Sequence, residues 1–222
     1  MANKDFSIKY RCKMYHDMFV EIAVDRFVTA EKAYIELNKQ KNQTPNEKTY
    51  ELLAKIQKGC IETVCFSVMA LESFINTFAA EYVSKSFAET IDRLDIPAKW
   101  IVTMRVSKSV ELKKGEKPIQ KIAQSVTRRN ALIHSKSKSL SRCEENGGLY
   151  VPEFNPLEDY IIPAIESVEA IKDAAKWIED NWKGNSLNID TTLLKEKVKY
   201  KFKTVANTWI FTEPVVAFKK YT

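Results

Sequence analysis

"IETVCFSVMALESFINTFAAEY", residues 61–82, decides the fold. Its apolar side chains Ile61, Val64, Cys65, Val68, Leu71, Ile75, Phe78, Ala79 and Tyr82 recur three and four residues apart. On a helix that spacing gathers them into one broad stripe; on a strand it would scatter them over both faces. A stripe this wide needs neighbours on more than one side, so the stretch is predicted to be the centrepiece of a helical bundle. The helix should span about 46–84, restarted by Pro45 after the polar run "NKQKNQTPNEK".

Working outward, Tyr15, Met18, Phe19, Ile22, Ala30, Ala33 and Leu37 line one arc of an expected first helix, roughly 11–39. Shorter helices are expected at about 96–110 and 118–135. The latter opens with Pro118 in its first turn and carries Ile119, Ile122, Ala123, Val126 and Ile133 on one side. A later helix places Leu157, Ile161, Ala164, Val168, Ile171, Ala175, Ile178 and Trp182 in a seam four and three apart. Asn155 is its expected cap, Pro156 its start and Pro163 the cause of an early kink. "KVKYKFKTV" (197–205) alternates like a strand, while Leu194, Val198, Phe202, Val205 and Trp209 fit a helix; helical neighbours favour the helix. Five glycines and seven prolines leave little turn material for a many-stranded sheet. The expectation is an all-α chain: a bundle of four to five core helices over 1–183, with a C-terminal extension over 184–222 packed on or flanking it.

With 222 residues, 45% of them hydrophobic, the chain can bury a sizeable core. Cys12, Cys60, Cys65 and Cys143 lack CxxC spacing, and only His16 and His134 could join them as soft ligands. Reduced thiols, no metal and no cofactor are therefore expected. The polar residues 1–11 lack the apolar core of a signal peptide, and no uninterrupted run of 18 apolar residues occurs, so a cytoplasmic address without a membrane partner is expected. No glycine-rich phosphate loop exists, which disfavours a nucleotide-binding enzyme.

The net charge of +6 is concentrated: between Glu116 and Glu144 there is no acid, while Lys117, Lys121, Arg128, Arg129, Lys136, Lys138 and Arg142 are all basic. This run is either a solvated helix face with a loop, or a phosphate-attracting patch in which Lys121, Arg128, Lys136, Lys138 and Arg142 contact RNA. Two charges fall inside apolar arcs, Glu72 on the central helix and Arg26 on the first, and each needs a partner if buried. They are expected to pair with each other, or Glu72, one turn from Asn76, reaches across to Arg129 and orients it.

"RRNALIHSKSK", residues 128–138, closes the reading. On the helical wheel Asn130 and His134 lie one turn apart toward the core, Arg129 sits at the edge of that face, and Arg128 points to solvent. In an all-helical setting, "RNALIH" (Arg129, Asn130, His134) resembles the Arg-polar-x-x-x-His motif of the HEPN domain family, and Glu72 with Asn76 resembles the polar positions on an earlier core helix of that family. The resemblance covers about residues 11–183. It implies a helical bundle, catalytic roles for Arg129, Asn130 and His134 with Glu72 and Asn76 in support, and a homodimer whose two motifs face each other. The implied activity is that of a metal-independent endoribonuclease, of the kind found in toxin–antitoxin and antiviral defence systems, with an antitoxin or regulatory protein as a further partner.

The chemistry is consistent with that implication. Metal-free RNA cleavage needs a base for the ribose 2′-hydroxyl, an acid for the leaving 5′-oxygen and a cation on the phosphoryl oxygens. A twofold dimer presents His134 and Arg129 twice. The interface is expected to include the 118–135 helix. The competing expectation is a non-catalytic helical module that uses the same basic patch to bind RNA or a partner protein.

Overall fold

A computed structural model describes residues 3–40, 46–108, 111–133 and 156–181, with side chains from Tyr15 onward except those of Lys108 and Glu179. These residues form α1 (Asn3–Lys39), α2 (Glu47–Tyr82), α3 (Lys85–Ile91), α4 (Ile96–Lys108), α5 (Lys117–Ile133), a π-helical turn at Leu157–Ile161, and α6 (Ile162–Asn181). Among the described residues there is no strand, and their architecture is all-α. Pro45, Asn155, Trp182, the 184–222 extension and its helix-or-strand ambiguity lie outside the described residues.

The central helix begins with a reciprocal cap. The Asn46 side chain accepts from the Thr49 backbone N–H at 3.1 Å, and the Thr49 hydroxyl accepts from the Asn46 N–H at 3.2 Å. Val64, Val68, Leu71, Ile75, Phe78 and Ala79 are all buried, as the 61–82 stripe requires. By length and composition α2 is apolar enough to cross a membrane, a property that counting uninterrupted apolar runs did not reveal, and 56% of that apolar window is buried inside the bundle.

α1 runs antiparallel to α2, from a start well before the expected residue 11. The two backbones approach closely at Gly59, where a Cβ would stand 2.9 Å from both the Ala30 Cβ and the Arg26 carbonyl oxygen. One turn on, the Thr63 hydroxyl lies 2.7 Å from the Gly59 carbonyl and 3.2 Å from the Ala23 carbonyl. This contact selects the face of α1 that turns inward: His16, Val20, Ala23, Val24, Phe27, Ala30 and Ala33 are buried. The expected arc was therefore partly misplaced. Ala30 and Ala33 are inside, but Tyr15 and Met18 are 50% and 40% exposed, because small residues rather than the largest ones set the closest approach.

The two charges assigned to apolar arcs also find other partners. Arg26 is not buried; its side chain is 51% exposed and its Nε lies 3.0 Å from Glu62 Oε2. Glu72 pairs with neither Arg26 nor Arg129. It accepts from Lys99 Nζ at 3.1 Å, and Asp92 accepts from the same ammonium at 3.3 Å. Lys99 is almost wholly buried, so these two carboxylates supply the charge that its burial requires. They tie α4 to α2 and to the turn after α3, alongside a Trp100 Nε1 donation to the Leu71 carbonyl at 3.3 Å.

Short α3 escaped the periodicity reading because seven residues hold too few repeats to register, although Ser84 caps it by accepting from the Phe87 N–H at 3.0 Å. Before Pro163, where a kink is expected, the chain forms a π-turn. The ring offers no N–H and crowds the preceding turn, and the Ile162 N–H reaches back to the Leu157 carbonyl instead of to the next one.

Candidate functional site

α5 carries the motif and packs on α2 with Ile119, Ile122 and Ser125 buried. It runs antiparallel to α6, and the two helices are joined by a ladder of opposite charges. Lys117 lies 3.6 Å from Asp173, and Lys121 lies 2.6 Å from Glu169 and 3.0 Å from Asp173. Arg128 Nη2 pairs with Glu166. Burial alone would lower the Lys121 pKa, but the hydrogen bonds it donates to Glu169 and Asp173 and their charges outweigh it, holding the ammonium above the ordinary lysine value.

The ladder revises two readings of the basic run. Lys121 is occupied by α6 rather than free for phosphate, and Arg128 turns to α6 instead of pointing into solvent. The acids responsible sit at 166, 169 and 173, a one-face spacing on α6 that complements 117, 121 and 128 on α5. That complementarity was the available signal, and reading the basic run by itself missed it.

Arg129 differs from the other basic residues of α5. It is half-buried, it makes no ion pair among the described residues, and its Nε is buried without a hydrogen-bond partner. It faces α2 closely enough that its charge acts on the Cys65 thiol: burial pushes that thiol's pKa up, Arg129 opposes the rise and Glu62 adds to it. Asn130, expected to face the core, is exposed, because the inward position of this turn is taken by Arg129. His134, Lys136, Lys138 and Arg142 lie outside the described residues.

Cys65 belongs to a face of α2 that the other described helices cover only in part. Glu62, Cys65, Met69, Ser73, Asn76 and Ala80 recur along it at helical spacing, and none is buried. Glu72 and Asn76 line a groove of about 400 Å³ there, together with Tyr15, Phe19 and Met69. Tyr15 stacks on Phe19 with ring centroids 6.3 Å apart, and Phe19 lies 6.0 Å from Phe66. Arg129 lies near Cys65, whereas Glu72 and Asn76 line the groove farther along α2. By helical rise Asn76 is ~16 Å along α2 from Cys65, so Asn76 is not brought to Arg129, and Glu72 pairs with Lys99 instead.

A separate cavity of about 190 Å³ lies on the other side of α5, between its last turn, α2 and the π-turn. Among the described residues no group of three His, Cys, Asp or Glu side chains could hold a metal ion. Comparison of the chain with protein-family models, with curated proteins and with solved structures finds no match.

Proposed function

We propose that the protein is a metal-independent endoribonuclease of HEPN type, acting as a homodimer with Arg129, Asn130 and His134 in its active site. The observation that carries this reading is the selectivity of charge pairing on α5. Lys117, Lys121 and Arg128 each face an acid of α6, whereas the motif arginine has none among the described residues. A half-buried guanidinium without a counter-ion costs folding free energy, and a phosphate is the ligand that its planar, multidentate donors best fit.

In this mechanism Arg129 grips the non-bridging oxygens of the scissile phosphate. One His134 takes the proton from the ribose 2′-hydroxyl as the 2′-oxygen attacks phosphorus. The second His134 gives a proton to the departing 5′-oxygen as its bond to phosphorus breaks. Exposed Asn130 meets the substrate rather than bracing the imidazole from within. The products are a 2′,3′-cyclic phosphate and a free 5′-hydroxyl. The exposed Tyr15, Met18 and Met69 on α1 and α2 support the dimer, since they give this side the aromatic and methionine content of a protein interface. In the dimer the α5 helices flank this interface and bring Arg129 near its twin.

The test is a denaturing gel of labelled single-stranded RNA incubated with chelator and wild type, Arg129→Ala or His134→Ala. Cleavage by wild type, cyclic-phosphate ends and a loss in each variant are expected. RNA that survives wild type, yet shifts equally with all three proteins on a native gel, would establish the non-catalytic binding module in its place.

A further inference from the structure

The half of the α1–α2 pair that holds the groove carries one sign of charge. Residues 15–25 and 59–82 contain Asp17, Glu21, Asp25, Glu62, Glu72 and Glu81 but no lysine or arginine. Arg26 and Lys99 reach Glu62 and Glu72 from outside these stretches, and they reduce that charge without cancelling it. Within this field Tyr15, Phe19, Met69 and Ala80 give the groove of about 400 Å³ an apolar lining beside Glu72 and Asn76, and Tyr15 and Met69 are exposed. An apolar strip in an acidic surround fits a helix whose own apolar stripe runs between basic edges.

The sequence of residues 194–209 has that pattern. At the helical period Leu194, Val198, Phe202, Val205 and Trp209 fall within one arc of about 80°, with Lys195 and Lys199 along one edge and Lys197 and Lys201 along the other. As a helix this segment is ~24 Å long, enough to cover the ~17 Å of groove between Met69 and Ala80. The chain also leaves the bundle at the matching end. α6 runs parallel to α2, with Pro163 beside Val64 and Ile178 beside Phe74, so Asn181 lies toward the end of α2 that holds the groove. The groove face of α2 is opposite the Leu71 and Phe74 face that packs on α6. Residues 182–193 can extend ~40 Å, more than the ~20–24 Å of two helix diameters needed to pass over the end of α2.

We propose that residues 194–209 form an amphipathic helix that seats in the groove of its own chain and there competes with a second copy for Tyr15 and Met69. The competition rests on the ribonuclease reading above, in which those residues belong to the dimer; the seat itself does not. The tether favours the chain's own segment, because a linker of this length holds it near the groove at about millimolar effective concentration. The thioether of Met69 and the rings of Tyr15 and Phe19 meet the apolar stripe, and the lysines on its edges meet the acidic surround. Once seated, the segment keeps two copies apart and leaves the composite site unassembled.

Hydrogen–deuterium exchange on the full chain, without lipid or RNA, tests the seat. The amides of 194–209 should be protected at every protein concentration. Phe202→Asp, in the segment, and Met69→Arg, at an exposed position of the seat, should each speed their exchange by about tenfold or more, while α2 amides stay protected and show that the bundle is folded. In sedimentation the Phe202→Asp chain should dimerise about tenfold or more tightly, since a seated population lowers the apparent affinity of wild type. Free exchange of these amides in wild type, protection untouched by Met69→Arg, protection that vanishes on dilution, or protection that requires anionic vesicles or RNA overturns the proposal. So does a Phe202→Asp dimer no tighter than that of wild type. The two readings fail separately. RNA cleavage by a wild type whose 194–209 amides exchange freely removes the seat and leaves the ribonuclease. Groove-dependent protection in a protein that leaves RNA intact in every variant removes the ribonuclease and leaves the seat.

Discussion

Lys121 and Arg129 sit about two turns apart on one helix, and they are treated in opposite ways by the rest of the chain. Lys121 is enclosed by two carboxylates of α6 at 2.6 and 3.0 Å. Arg129 is inserted toward α2 and faces no acid among the described residues. The difference separates charges that hold the fold together from a charge that the fold carries at a cost. Sequence composition puts both into one basic run, and only the neighbouring helix tells them apart.

The largest effect that could break this comparison is catalytic. His134→Ala should lower RNA cleavage by ~10²–10⁴-fold, as expected for losing a general acid or base, and Arg129→Met should do comparable damage. Neither loss should depend on added metal or chelator. Arg129→Met should also leave the melting temperature unchanged or raise it, because it removes a half-buried ion without stranding an acid. If its melt falls as far as that of Arg128→Met, Arg129 is part of the fold and the contrast collapses.

Stability is the next scale. Lys121→Met and Arg128→Met should each destabilise by about 1–3 kcal/mol, between exposed and fully buried pairs, because Glu169, Asp173 or Glu166 would lose a partner. Thermal melts read this as a drop of several degrees for a bundle of this size. Glu72→Gln should fall in the same range with cleavage unaltered, since Glu72 serves Lys99 rather than Arg129; a selective loss of cleavage would restore the link to Arg129.

Alkaline pH sharpens the paired side of the comparison. Lys121 is held above its ordinary value, so its contribution is present at neutral pH and lost as pH rises through the folded-state value. Burial pushes Cys60 up to about 12, so between the ordinary thiol value of ~8.5 and that point the unfolded chain ionises first and stability falls. Melts collected from pH 8 to 11 should therefore decline, and Cys60→Val should flatten part of the decline. A flat profile in wild type would contradict both assignments.

The smallest effect concerns salt. A lysine already neutralised by α6 should contribute little to phosphate binding, so Lys121→Gln should leave the salt dependence of RNA binding almost unchanged. Lys138→Gln should reduce the slope by about one counter-ion if Lys138 contacts phosphate. Equal slopes for the two variants would return Lys121 to the RNA-binding surface.

The positions of the long helices were legible because their apolar spacing survives any arrangement of partners, as the buried row from Val64 to Ala79 illustrates. Which side of α1 turns inward was not. That choice rests on Gly59 opposite Ala30, a contact between residues almost thirty positions apart that leaves no periodic trace. The same limit governs the site. Arg129 is singled out by its spacing to His134, but its orientation toward α2 and the exposure of Asn130 depend on packing across the bundle, and the pairing of Arg128 with Glu166 depends on a helix that enters the chain after residue 155. Lys99 gave no sequence sign of its burial, since its two carboxylates come from separate segments.

The π-turn before α6 has a consequence for how this chain can change. A π-turn holds one residue more than the α-helical turn it replaces, so it sets the angular phase of Asp159 and Tyr160 independently of that of Ala164 and Val168. Removing one residue from 157–161 would rotate everything before it by about 100° while leaving the buried seam of α6 where it is. The wall of the cavity and the packing of the bundle are therefore separable units of variation: a lineage could exchange the side chains that line the cavity without renegotiating the core that keeps the protein folded.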